Sequence, residues 1–397
     1  MSGTISRGIK APIINANDNI VNIVIDSVLK AQKEDKFKLK PKDIICVTES
    51  VVARADNNYC TVDNIAEDVY NKLGDTIGVV FPIMSRNRFA ICLRGIARKA
   101  KKVIVQLSYP ADEEGNHLIS EEQLLNANIN PYNDILNEQE FISLFGNPIH
   151  QFTGVNYVEY YKQLIEEEGA EAKIIFANDP LAILNETDTI LCCNVHEREN
   201  TKKRLLNAKT KNLNPKVLTL CDIMNQPINN SGYNSEYGLL GSNKATENTV
   251  KLFPKNAQEI ANNIQKEYFI KTGILVEAMV YGDGAFKDPI GKIWELADPV
   301  VSPGFTTGLI GYPNELKLKY LADNEFTGLS GEELVQAIQN RIKEKDKDLV
   351  GKMESQGTTP RRYRDLIGSL CDLTSGSGDK GTPIVVIQNY FNNYADK

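Results

Sequence analysis

A chain of 397 residues can bury a large core and predicts two domains. Its 42% hydrophobic and 24% charged content fits a soluble globular protein, while a formal net charge of -7 argues against a nucleic-acid or membrane-surface partner. No apolar run is long enough to span a bilayer, and the N-terminal stretch has no apolar core of signal-peptide length, so a cytoplasmic protein is expected. The seven cysteines are scattered through apolar runs without zinc-ligand spacing and read as reduced core thiols. With only three histidines, far apart, any metal is expected to be a hard cation held by oxygens.

Taken in order, residues 6–14 form an apolar segment containing Ala11-Pro12-Ile13-Ile14, and a helix follows with Ile20, Val21, Val24 and Val28 at helical spacing. Ile44-Ile45-Cys46-Val47 reads as a short buried strand ending in Thr48-Glu49-Ser50, polar residues able to cap the next helix. Strand, polar turn and helix in that order aim backbone N–H groups beyond the strand, which suits a phosphate; the plain alternative is a helix cap. Arg54, one turn on, reaches the same place or is a solvated charge. A helix over 89–98 and a strand over 103–107 lead to Asp112-Glu113-Glu114 in a Pro/Gly loop, either a cation-holding loop or a solvated turn.

Residues 118–215 alternate helix-forming and strand-forming pieces and predict an inserted α/β subdomain, dividing the chain at 1–117, 118–215 and 216–397. Residues 225–243 are rich in Asn, Ser and Gly, with Asn234 and Glu236 among them, and offer oxygen ligands and amide donors. Tyr, Leu and Ile within this long polar loop predict that it is ordered. A helix over 254–266 leads into the stretch around which the chain is organised. Residues 273–280 read as a buried strand that stops at Tyr281-Gly282-Asp283-Gly284, with Lys287 and Asp288 close behind. The two glycines permit a sharp turn and close approach of a ligand, and a carboxylate at the end of a core strand must be paired, hydrogen-bonded or metal-bound. A polar β-turn is the plain alternative.

Further on, a helix opening at 361–365 feeds the glycine-rich loop Ser375-Gly376-Ser377-Gly378-Asp379-Lys380-Gly381, which enters a strand over 384–387. Helix, loop and strand stand in the reverse of Walker A order, yet the loop can form an anion-binding nest with Lys380 as a point charge; a flexible linker is the alternative.

Together these fragments resemble the coenzyme F-420:L-glutamate (gamma-glutamyl) ligase family. Ala11-Pro12-Ile13-Ile14 stands where that family has its Leu-Pro-Leu-Ile guanine-nucleotide contact, and Glu49-Ser50 with Arg54 where it has Ser-Thr and, four residues on, Lys. Residues 281–288 align with its metal-binding Asp-Thr-Asn-Gly turn, and residues 375–382 with its Met-Gly-Glu-Gly-Gly-Asp-Gly-Ile loop. The family's Gly-Ile-Asp-x-Ser-Asn motif has no direct counterpart; the candidates are residues 232–236, with Asn234 and Glu236, and the Asp112 loop. Ser377 stands where the family has a metal-binding Glu, with Asp379 as a substitute.

The resemblance implies an α+β (mixed α/β) fold of two domains enlarged by an inserted α/β subdomain, in a homodimer. It implies Mg2+ or Mn2+ held by Asp283 and Asp288 with Glu236, Asn234 or Asp112. A GTP or ATP co-substrate is implied between residues 11–14, Glu49, Ser50, Arg54 and residues 375–381, with Asp283 and Lys287 at the catalytic centre. The implied activity is a ligase that attaches L-glutamate to a small-molecule carboxylate acceptor through an acyl phosphate. Two other classes stay open: a nucleotide-dependent kinase or phosphotransferase, and a nucleotide-binding protein that has lost catalysis, for which the absent Glu argues.

Overall fold

Apolar runs bounded by turn residues form the strands of three sheets. The computed structural model describes residues 3–151, 153–208, 214–282, 302–355, 361–375 and 378–396. Among these, β2 (Ile44–Thr48) lies at the centre of a five-stranded sheet in the order β1 (Ile5–Ile9), β14 (Ile384–Gln388), β2, β12 (Glu277–Tyr281), β13 (Gly304–Phe305). β2 and β12 are parallel and the other pairings are antiparallel. Residues 44–47 are fully buried because both faces of this sheet are covered, so the strand is apolar throughout rather than alternating. Ile45, Val47, Ala278, Val280 and Val386 face the helices Ile20–Glu34 and Ala257–Thr272. Ile44, Cys46, Met279, Val385 and Ile387 face the helix Tyr363–Ser375. The strand expected over 273–280 begins instead at Glu277. Gly273 closes the preceding helix in the left-handed region (φ 71°), a conformation that favours glycine, so it belongs to the helix end.

The second sheet has six strands in the order β6 (Leu136–Asn137), β7 (Glu171–Phe176), β5 (Lys102–Leu107), β4 (Thr76–Val80), β8 (Thr189–Cys192), β9 (Lys216–Thr219). All but β6 run parallel. The chain moves outward from β4 through β5 to β7, then crosses back to β8 and β9, the course of a doubly wound sheet that reverses between β4 and β8. The helices Val62–Leu73, Phe89–Ala97 and Tyr157–Glu167 cover one face. The short helix Pro180–Asn185 and the helix Arg198–Leu206 cover the other. Residues 118–215 therefore supply β6, β7 and β8, while β4, β5 and β9 come from either side of that stretch. All seven cysteines are unpaired, and burial pushes the Cys92 thiol up to about 11 and Cys192 up to about 12, so both stay protonated at neutral pH.

A small third sheet, β10 (Asn243–Lys244), β11 (Thr249–Lys251) and β3 (Tyr59–Thr61), is built where the two larger ones meet. Asn58, fully buried, staples it to the long polar loop. Its Nδ2 donates to Tyr233 O at 2.9 Å and Phe253 O at 2.5 Å, and its Oδ1 accepts the Tyr233 N–H at 3.0 Å. Residues 225–243 are thus ordered by donor–acceptor matching of their own backbone.

Candidate active site

The carboxyl ends of β2 and β12 and the entry to β14 lie side by side. Thr48 stands opposite Tyr281, and Ile384 opposite Val47. The Thr48 N–H donates to Pro383 O at 2.9 Å, and beyond β1 the Ala11 N–H donates to Gly381 O at 3.2 Å. These pairings bring residues 11–14, the start of the helix Glu49–Ala55, the end of β12 at Tyr281 and the segment 378–381 to one end of one sheet. The cause is topological: a parallel pair points both exits the same way, and the antiparallel β14 between β1 and β2 starts at that end.

The loop before β14 is held by its own hydroxyls. Ser375, buried, donates to Asp372 O at 3.1 Å, Thr382 Oγ1 donates to Ser375 O at 2.8 Å, and Ser6 Oγ lies 2.7 Å from Thr374 Oγ1. Asp379, Lys380 and Gly381 are exposed on the turn Gly378–Lys380. Ser50, Arg54 and Pro12 are exposed, Ala11 is half-buried, and Ile14 is buried while its neighbour Ile13 is 84% exposed. Asp283, Lys287, Asp288, Gly376 and Ser377 lie outside the described residues.

Glu49 turns inward instead of standing open to solvent. Both its carboxylate oxygens meet Lys251 Nζ, at 2.8 and 3.0 Å, and the two residues are 2% and 7% exposed. Sequence reasoning passed over Lys251; the available signal was a lone cation in the apolar run Val250-Lys251-Leu252-Phe253.

Asn234, buried, spends its Oδ1 on the N–H groups of Glu236 (3.0 Å) and Tyr237 (2.8 Å) and its Nδ2 on Pro254 O at 3.1 Å, while the Glu236 side chain is exposed. Asp112 belongs to the other large sheet. Its four accepted bonds come from Met84 N, Glu114 N, Asn116 N and Asn116 Nδ2 at 2.7–3.0 Å. Burial pushes its carboxyl up to about 6 in spite of these donors. Both side chains organise loops and have no acceptor direction to spare. Among the described residues no three His, Cys, Asp or Glu side chains gather as metal ligands, so these residues by themselves do not fit a Mg2+ or Mn2+ site. No helix among them is long and apolar enough to cross a membrane.

A comparison with curated proteins finds none that matches. The family model described as F420-0:Gamma-glutamyl ligase matches residues 8–389, which takes in every strand but the outermost residues of β1 and all three sheets. The chain therefore belongs to the F420-0:Gamma-glutamyl ligase family and is a C–N bond-forming ligase.

Proposed function

We propose that the protein is a nucleotide-dependent amide ligase that attaches L-glutamate to a small-molecule carboxylate acceptor. The observation that carries this reading is the gathering of residues 11–14, 49–54 and 378–381 at one end of the five-stranded sheet, within a chain that belongs to a glutamyl ligase family. An unactivated carboxylate does not form an amide in water. In the proposed reaction an acceptor carboxylate oxygen bonds to the γ-phosphorus of GTP or ATP as the nucleoside diphosphate leaves. The glutamate amine nitrogen, having lost a proton, then bonds to the acyl carbon as inorganic phosphate departs. Exposed Arg54 and Lys380 would offset phosphate charge, and backbone around Ser50 and 378–381 would line the nucleotide. Mg2+ or Mn2+ is proposed on the family resemblance, with Asp283 and Asp288 as its holders. Action as a homodimer in the cytoplasm belongs to the same proposal.

The test is phosphate release by the pure protein with GTP or ATP and Mg2+ across a panel of amino acids and carboxylate acceptors. Stimulation by L-glutamate and a product heavier by one glutamyl residue are expected. A phosphorylated product without an amide would assign a phosphotransferase instead, and nucleotide binding without turnover would assign a binding protein.

A further inference from the structure

The point where the six-stranded sheet reverses its winding is flanked by the loop after β4 and the loop after β8. The acidic loop after β5 ties the two together. Asp112 accepts the Met84 N–H at 2.7 Å on one side. On the other, the Glu113 carboxylate accepts three successive backbone N–H groups, from Val195, from His196 at 3.0 Å and from Glu197 at 3.4 Å. Glu114 meets His196 Nε2 at 3.1 Å. Those three N–H groups lead into the nine-residue helix Arg198–Leu206, whose N-cap is Glu197, so Glu113 sits just beyond the end where a helix gathers partial positive charge. In open α/β sheets this crevice is where ligands bind, and here one of the chain's own carboxylates fills it.

A separate observation points to the same place. Asn194, 2% exposed and immediately before the three N–H groups, donates Nδ2 to Thr201 Oγ1 at 3.0 Å. Its Oδ1, the other limb of the amide, has no partner among the described residues. His196 Nδ1 and Arg198 Nε, in the same turn, also lack one, as does Oε1 of Gln106 at the end of neighbouring β5. Four of the eight unpartnered buried side-chain atoms among the described residues therefore lie at this one sheet end. Buried polar atoms are normally satisfied, so such a concentration marks missing partners.

The pattern of donors and acceptors specifies what is missing. Three N–H groups and a guanidinium Nε call for an oxyanion; the Asn194 carbonyl calls for an N–H or O–H beside it. We propose that this crevice is a second small-molecule site, taking a compact oxyanion with an adjacent hydrogen-bond donor, an α-amino acid or a monohydrogen phosphate, with Glu113 holding its place until it arrives. The incoming oxyanion takes over the three N–H groups, its ammonium or hydroxyl reaches Asn194 Oδ1, and Glu113 swings out to water. Burial pushes the Glu113 carboxyl above the usual range, so its release recovers part of a desolvation cost and eases the exchange. The site is distinct from the end of the five-stranded sheet and stands apart from the ligase reading.

The experiment is to follow the backbone amide resonances of Val195, His196 and Glu197 in the full chain while inorganic phosphate or L-glutamate is added, in wild type and in Glu113→Ala. With the competing carboxylate gone, the variant is expected to bind one of the probes at least roughly tenfold more tightly than wild type. A response to phosphate alone identifies a phosphate ligand. A response to L-glutamate alone, weakened by Asn194→Ala, identifies an amino acid, and a response to both supports the shared oxyanion chemistry. Amides that stay in place with both probes overturn the proposal. If Glu113→Ala does not fold, Glu113→Gln gives the same reading: a stronger response than wild type supports the site, and an equal one overturns it.

Discussion

Lys251 Nζ lies 2.8 and 3.0 Å from the two carboxylate oxygens of Glu49, across 202 residues of sequence and with both side chains buried. The pair fastens the small third sheet to the helix that leaves β2. Breaking one side of a buried pair strands the other charge, which costs ~3–5 kcal/mol, whereas removing both charges costs far less. Lys251→Met and Glu49→Gln are each expected to lower the urea midpoint sharply. The double variant should be more stable than the sum of the two losses predicts, and strict additivity in urea unfolding would refute the coupling.

Asn58 holds the long polar loop by donating to two carbonyl oxygens at once. Asn58→Asp replaces both donors with acceptors in a fully buried place and sets negative charge against those carbonyls. A loss of ~3 kcal/mol or more is expected. Hydrogen exchange localises the effect: the Tyr233 amide, bonded to Asn58 Oδ1, and the Gly232 amide, bonded to Tyr59 O at 2.7 Å, should lose protection before the strands do. Unchanged protection at both would show that the staple is dispensable.

His196 supplies a pH signature. Burial pulls its imidazolium down, but the hydrogen bond to Glu114 and the charges of Glu113 and Glu114 outweigh that and hold its pKa above 6.5. A raised folded-state value means that the stabilisation is complete below pH 6.5 and is lost as pH rises through the folded value. Wild type should therefore exceed His196→Gln in unfolding free energy below pH 6.5, with the gap shrinking as pH rises through the folded-state value. A gap that widened with pH would reverse the assignment.

Lys380 tests the nucleotide reading on an exposed side chain. Its removal as Lys380→Ala should leave the unfolding midpoint unchanged and weaken GTP or ATP binding about tenfold, near 1.4 kcal/mol. Titration calorimetry with both nucleotides measures it. Equal affinity in the variant would take Lys380 out of the site.

Three strands of the five-stranded sheet, β2, β12 and β14, could be read in advance because they are short apolar runs buried on both faces, a pattern that survives without knowledge of neighbours. The second sheet was harder. Its founding strand β4 is interrupted by Gly78, which looks like punctuation in a sequence. In the fold a Cβ there would lie 2.7 Å from Ile183 Cγ1, so the glycine serves close packing instead of ending the strand. Strand order is equally non-local, and with it the reversal between β4 and β8. Asp112 and Asn234 drew attention by residue type, yet their oxygens bind loop N–H groups that no spacing announces. Glu49 pairs with a lysine 202 positions away, a relationship that only folding creates.

The order of strands also sets a timetable for synthesis. The strands of the six-stranded sheet come from one continuous part of the chain, so that half can collapse as soon as β9 clears the ribosome. The other sheet waits much longer, since β14 must slide between β1 and β2, made near the beginning. Until then those two early strands have open edges, exposed to pairing with other nascent chains, and the last piece to arrive is the one whose entry loop completes the proposed nucleotide cradle.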